Sequence, residues 1–351
     1  MAARREMKHD GIGSGAIAVA AAAGIVAATA ASALFNVAKA RQAEQENPPT
    51  GKFLEIDGVQ LHYVERGEGR PLVLLHGNGV SLVDMEASGL LDRAARHYRV
   101  IVFDRPGYGH STRPRDRTWS PEEQAALLWT ALRSLGVAGP IILGHSWGTL
   151  VALAMALEHP GETSALVLAS GYYYPSGRMD ALLLSPPALP VVGDAMRYTV
   201  SPLVARLVTP ALIERMFAPA SVPESFAAYP IELSLRPSQL RAASAEAGMM
   251  VGAAARLSKR YDELDLPVIL ISGDGDRIVA FDQQSKLIHE AIPGSELRII
   301  EGGGHMIHYL DPDAVVAAID AAAERSPFQD EPQDLPASDL QSSSIQDSSH
   351  V

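Results

Sequence analysis

Gly144-His145-Ser146-Trp147-Gly148 follows the apolar run Pro140-Ile141-Ile142-Leu143 and precedes a stretch of helical periodicity. The serine is therefore expected on a sharp turn from a strand into a helix. A turn this tight strains the serine backbone and crowds the positions two residues to either side, so both must be small. Both are glycine here. The pattern is the signature of a nucleophile elbow. Five residues alone also fit an ordinary glycine-bracketed loop, so the rest of the chain has to separate the two readings.

Working outward, Phe53 to Val64 alternates in polarity on either side of Asp57-Gly58, which is a hairpin signal. Leu72 to His76, Arg99 to Asp104, Ala165 to Ala169, Val268 to Ser272 and Leu297 to Ile300 read as buried strands, with helix-patterned stretches between the later ones. Strands that alternate with helices imply an α/β architecture, a mostly parallel sheet covered on both faces. The rhythm stops between Tyr172 and about Lys259, where Pro-rich, helix-like segments carry Leu182 to Leu184, Met216, Phe217, Phe226, Met249 and Met250. A helical cap, residues 172–259, is expected there, inserted after the sixth strand and lying over the carboxyl edge of the sheet.

The 351 residues are 47% apolar and 20% charged, an ordinary globular composition with room for a sizeable core. The formal charge of −12 argues against nucleic acid or anionic lipid as a partner. Asp330, Glu331, Asp334, Asp339 and Asp347 sit in a tail without Lys or Arg, so the body alone carries about −7. Ser, Asp, Gln and Pro dominate residues 326–351, which are expected to be disordered. With no cysteine there is no disulfide, no thiol nucleophile and no Cys-ligated zinc.

Residues 11–38 carry no charge until Lys39 and follow a basic start, residues 1–10, containing Arg4, Arg5 and Lys8. A bilayer needs about 20 apolar residues and a signal-peptide core about 7–15, so length favours an uncleaved transmembrane signal anchor. Ile12, Ile17, Val19, Ile25, Val26, Leu34, Phe35 and Val37 supply most of its hydrophobicity in an otherwise Ala-rich run. Ala38-Lys39-Ala40 has the form of a cleavage site, which leaves a cleaved signal peptide as the alternative. Arg4, Arg5 and Lys8 before the run nearly balance Lys39, Arg41 and Lys52 after it, and the greater distance of Lys52 places the body on the extracytoplasmic side. Residues 39–51, closed by Pro48-Pro49, read as a polar linker.

A serine hydroxyl attacks only when a base accepts its proton, and the base needs a third group to hold its tautomer. Downstream of Ser146 stand His159, His289, His305, His308 and His350. His305 follows Gly302-Gly303-Gly304 just past a strand, where a flexible loop can turn the ring toward the elbow. His308 is the competitor, with a loop histidine bonded to a carbonyl as its plainer explanation. The acid should come from Gly273-Asp274-Gly275-Asp276-Arg277, directly after the strand 268–272, and that loop offers two carboxylates.

With these residues in view the chain resembles the α/β-hydrolase superfamily, over roughly residues 52–325. It is similar to the branch holding proline iminopeptidases, haloperoxidase-like esterases, epoxide hydrolases and haloalkane dehalogenases. The family's acid loop reads Gly-x-x-Asp followed by x-Ile/Val-Val, which Gly273, Asp276, Ile278 and Val279 match. The resemblance thus implies Asp276 as the acid, with Asp274 the alternative acid and otherwise a capping residue. His76-Gly77-Asn78-Gly79 resembles the family's HGxG turn, which implies an oxyanion hole from the backbone N–H groups of Asn78 and Trp147. Asp104 to Ser111 resembles its D-x-x-G-x-G-x-S loop, expected to shape the floor beneath the elbow. An Asn in the turn and a Trp after the nucleophile also resemble the halide-holding pair of the dehalogenases. Those enzymes use aspartate, whose alkyl ester water can open, whereas an alkylated Ser146 would be an inert ether. The resemblance therefore implies acyl transfer: a serine esterase with Ser146, His305 and Asp276, no cofactor and no metal. Its expected partner is a small, apolar ester. A perhydrolase, an iminopeptidase-like amide hydrolase and a triad-retaining receptor stay open, as does the oligomeric state.

Overall fold

The structure is a computed structural model that describes residues 12–177 and 185–326. The expected basic start, Leu182 to Leu184 of the cap and almost all of the acidic tail lie outside the described residues. Eight strands form one sheet: β1 (Lys52–Ile56), β2 (Val59–Arg66), β3 (Arg70–Leu75), β4 (Tyr98–Phe103), β5 (Ile141–His145), β6 (Ala165–Ala169), β7 (Val268–Gly273) and β8 (Glu296–Ile300). Their spatial order is β1-β2-β4-β3-β5-β6-β7-β8. The β1–β2 and β2–β4 pairs are antiparallel and every other pair is parallel. Asp57 (φ 49°) and Gly58 (φ 76°) both take left-handed backbone at the β1–β2 hairpin, the geometry that an Asp-Gly pair favours.

Strands β3 and β5 at the centre are buried nearly throughout because helices cover both faces. One face packs on the Pro121–Ser134 helix and the Gly148–Glu158 helix, which begins at the elbow. The other packs on Leu90–Ala94 and Pro312–Arg325. All residues from Gly148 to Leu157 are buried, so that helix is apolar on every side and shows no amphipathic stripe. Between β6 and β7 lies the helical cap, with Val192–Tyr198, Ser201–Phe217, Ile231–Ser234 and Pro237–Leu257.

Segment 39–51, expected as a linker, is helical through Glu46 and continues the apolar run as a single helix from Ile12. Its polar residues are Lys, Arg, Gln and Glu, which are good helix formers, and Lys39–Gln42 and Gln42–Glu46 side chains bond along the helix. Asn47 ends it, returning both backbone N–H and side-chain amide to Ala43 O ahead of Pro48-Pro49. From Gly15 on, this helix is long and apolar enough to cross a membrane by length and composition, and its apolar window is not buried against the rest of the protein.

The elbow follows from close approach. Ser146 has φ 53°, a left-handed value that costs a non-glycine residue energy. A Cβ on Gly144 would lie 2.6 Å from Gly148 O, and one on Gly148 would lie 2.4 Å from Leu75 O. Both contacts are with backbone, which cannot yield as a side-chain tip can. We expect Gly148→Ala to lose about 1–3 kcal/mol of stability, as overpacked core substitutions do, read as a lower urea midpoint. Gly177→Ala, where a Cβ meets nothing within 4 Å, should leave that midpoint unchanged.

Candidate active site

Ser146 stands where β5 passes into its helix, its N–H held by Ala169 O of β6 (2.9 Å). The loop after β8 brings His305 to it: Nε2 lies 2.9 Å from Ser146 Oγ. The loop after β7 brings Asp276 to the far side of the same ring, with Oδ2 2.7 Å from Nδ1. Oδ1 of Asp276 accepts the N–H groups of Ile278 (2.7 Å) and Val279 (2.9 Å), so the carboxylate is fixed on both oxygens. Because one ring nitrogen faces the Asp276 carboxylate and the other the Ser146 hydroxyl, the arrangement fits a proton on Nδ1, with Nε2 left to accept from the serine. The backbone N–H of His305 donates to Met216 O of the cap (2.8 Å), so the cap helps to fix the histidine loop.

The other candidates separate cleanly. Asp274 accepts the N–H of Gly302 (2.7 Å) and pins the glycine loop without reaching the ring. His308 is not a loop histidine on a carbonyl: it lies in the Ile307–Leu310 helix, with Nε2 2.9 Å from Asp84 Oδ2, both groups buried. His145 Nε2 bonds His305 O (3.1 Å). Asp84, His145 and His308 offer donor atoms within 4.8 Å of one another and form a buried polar cluster behind the histidine loop. His159 and His289 lie far along their helices from this site, bonded to Glu162 and Ser295.

The backbone N–H groups of Asn78 and Trp147 have no acceptor in the protein among the described residues. The side-chain amide of Asn78 is spoken for: Nδ2 donates to Ala243 O on the cap (3.0 Å) and Oδ1 accepts from Tyr108 (3.2 Å). One of the two N–H groups of that amide is thus committed to the cap, and the Trp147 indole Nε1 is buried with no acceptor among the described residues.

Asp104–Ser111, expected from the sequence as a floor, contains Arg105, to which, as to Glu246, the sequence pattern assigns no role. In the structure they are central. Arg105 is fully buried and donates to the carbonyls of His76 (2.9 Å) and Gly77 (2.9 Å), the two residues ahead of Asn78. The same guanidinium lies 4.9 Å from the ring of Trp147 and binds Glu246, from the cap helix Pro237–Leu257, through both carboxylate oxygens (2.5 and 3.1 Å). Glu246 also accepts from Tyr108 (2.6 Å) and Gln124 (3.0 Å). Burial pushes this carboxyl up, but the charge and hydrogen bonds of Arg105, with the nearby Arg113 and the Tyr108 hydroxyl, hold it below the usual carboxylate range. The sequence signal was available but weak: a lone Glu between Ala242, Ala247 and Met250 on an otherwise apolar helix face.

His76 Nδ1 donates to Gly77 O (2.8 Å) and Nε2 accepts the N–H of Arg105 (3.0 Å), which requires a neutral ring. Burial, and then the Arg105 charge, lower its pKa to about 4.

A profile of the alpha/beta hydrolase fold matches residues 70–312. The chain belongs to this family. The 2-hydroxymuconate semialdehyde hydrolase of Pseudomonas putida is 28% identical over 269 residues, 75% of this chain and 90% of that relative. The enol-lactonase of Burkholderia xenovorans LB400 superposes with a TM-score of 0.64 at 19% identity, covering 78% of this chain and all of that one. A bacterial membrane phospholipase A superposes with a TM-score of 0.61 at 21% identity, over 88% of this chain and 96% of its own. These likenesses share a fold whose members hydrolyse different bonds, so chemistry has to be argued from the site.

Two outcomes follow for stability. Glu246→Gln leaves the buried Arg105 and Arg113 without their shared carboxylate and should cost about 3–5 kcal/mol, measured by urea unfolding. Unfolded His76 takes up a proton near pH 6.5 and folded His76 only near 4, so its contribution is complete above 6.5 and is lost as pH falls toward 4. The full loss is about 3 kcal/mol. Urea midpoints at pH 7 and pH 4.5 should differ less in His76→Gln than in the parent.

Proposed function

We propose that this protein is a serine hydrolase that cleaves carboxylic esters through an acyl-enzyme, held at a membrane by its amino-terminal helix. The observation that carries the reading is the continuous relay from Ser146 Oγ through both nitrogens of His305 to Asp276, at 2.9 and 2.7 Å. His305 Nε2 takes the Ser146 proton as Oγ attacks the ester carbonyl. Negative charge then develops on the carbonyl oxygen, which the N–H groups of Asn78 and Trp147 are free to receive; one such donor is typically worth about 10²–10³ in rate. The imidazolium is stabilised by Asp276 and returns its proton to the departing alcohol. Water, deprotonated by the same ring, releases the acid.

The Arg105–Glu246 network gives this hole its rigidity, because the carbonyls ahead of Asn78 and the ring of Trp147 both rest on one guanidinium. The apolar acyl or alcohol group of this proposal is argued from the Leu, Met, Phe and Tyr content of the cap; Phe217, Phe226 and Tyr229 themselves pack with Met306 and Tyr309 into a closed core beside the histidine loop. A second reading, hydrolysis of a carbon–carbon bond, draws support from the activity named for the Pseudomonas putida relative. In this proposal the catalytic domain lies on the extracytoplasmic side, because Lys52 stands farther from the span than Arg4, Arg5 and Lys8 do.

Full-length protein in detergent is expected to turn over p-nitrophenyl esters steadily, and Ser146→Ala to lose that activity. Asp276→Asn should lower kcat by on the order of 10⁴-fold, and Asp274→Asn should change it less than tenfold. A single stoichiometric burst, or no release of nitrophenol from any chain length, would sink the esterase reading. Turnover of a ring-fission ketone acid with none of any ester would favour carbon–carbon cleavage instead.

A further inference from the structure

Soluble domains scatter their exposed apolar side chains; this cap gathers them. Val191, Val192, Val200, Leu203, Val204, Leu207, Val208 and Leu212 are all exposed, Leu207 to 81% and Val191 to 78%. From Val200 to Leu212 they recur three or four residues apart, which makes one stripe along the Ser201–Phe217 helix. Its charged residues are Arg206, Glu214 and Arg215. Arg206 is tied to Glu232 and to Asn36, and Arg215 to the Arg277 carbonyl, so those two cations are drawn off into the protein. A contiguous apolar stripe of this size on a water-facing surface marks a binding face.

What covers it is indicated by the amino-terminal helix. Ser32 Oγ donates to Thr199 O (2.8 Å), and Asn36 Nδ2 donates to the carbonyls of Tyr198 (3.0 Å) and Thr199 (2.9 Å). These are carbonyls that the end of the Val192–Tyr198 helix leaves without intrahelical partners, and a carbonyl at the edge of hydrocarbon has to be satisfied by protein. A hydrocarbon core about 30 Å thick is crossed by about 20 helical residues. Counted from Gly15, the start of the apolar stretch, such a span ends near Leu34. Ser32 is within it and Asn36 just beyond. The segment 198–200, and the stripe that starts there, are therefore fastened at the level where the anchor leaves the bilayer.

We propose that the stripe is a membrane-docking face, seated in the lipid leaflet from which the helix emerges, so that the cap is held by two contacts with the bilayer. This rests on the anchor reading above and is independent of the bond that the enzyme cleaves. The chain has no cysteine, so a single introduced one is a unique label position.

The test uses full-length protein reconstituted in phosphatidylcholine–phosphatidylglycerol vesicles, with an environment-sensitive fluorophore on Leu207→Cys, Val191→Cys, Ile25→Cys or Ile299→Cys. Ile299, exposed on β8 at the opposite edge of the sheet from β1, serves as the aqueous reference. Nitroxide-labelled lipids should quench positions 207, 191 and 25 at least threefold more than position 299, and aqueous iodide should show the reverse order. If 25 is quenched by lipid while 207 and 191 follow 299, the anchor stands and the docking face is overturned. If 207 is shielded from lipid and iodide alike, a second copy of the chain covers the stripe and the proposal is equally overturned. Iodide access at all four positions would remove the anchor reading and the docking face together. A second measurement is functional: Val204→Asp with Leu207→Asp should lower turnover of an ester embedded in vesicles about tenfold and leave a short soluble ester unchanged. Equal loss on both substrates would count against docking.

Discussion

A guanidinium with no access to water has to be neutralised where it stands, and in this protein the counter-charge comes from a different layer of the fold. Arg105 sits in the loop after β4, and Glu246 descends from the cap helix to meet it with two oxygens. Neither charge would be tolerated alone in that interior. The pair therefore makes the cap obligatory to the core: the helix Pro237–Leu257 cannot lift away without exposing or stranding two ions. Through His76 O, Gly77 O and Trp147 the same pair fixes the floor of the site.

That arrangement sets the division of labour around Ser146. Strand β5 and its helix hold the serine in a left-handed conformation by leaving no space for a side chain at Gly144 or Gly148. Asp276 and His305 arrive on two loops from neighbouring strand ends, and the cap takes the His305 N–H. Strain at the serine, fixation of the carboxylate and neutralisation of Arg105 are separate devices, and each uses backbone groups as much as side chains. The histidine is thus aligned on both nitrogens.

The sheet, the hairpin, the cap and the Ser146–His305–Asp276 grouping were legible in the sequence because each rests on a local signal: alternation about Asp57-Gly58, apolar runs that end in glycine-rich loops, a break in the strand–helix rhythm. The Arg105–Glu246 pair was not, since 141 positions separate the partners and nothing in either neighbourhood names the other. Asp84 and His308 illustrate the same limit: the sequence pattern suggests a loop histidine on a carbonyl, whereas the fold sets it in a short helix against a carboxylate 224 positions away. Residues 39–46 show the opposite error. Polar composition suggested a linker, but helix propensity, with Ala43 buried and Glu44 paired to Arg236, decided for helix.

The uninterrupted course of that helix has a mechanical meaning. Between Leu34 and Glu46 the chain rises about 18 Å at 1.5 Å per residue, with no glycine, proline or break along the way. The helix is a rigid post, fastened to the body at Ser32, Asn36 and Glu44. A flexible tether would let the hydrolase domain wander over a volume set by its length. A post fastened at three points holds the domain in one attitude, so any movement of the helix axis tilts the whole domain with it.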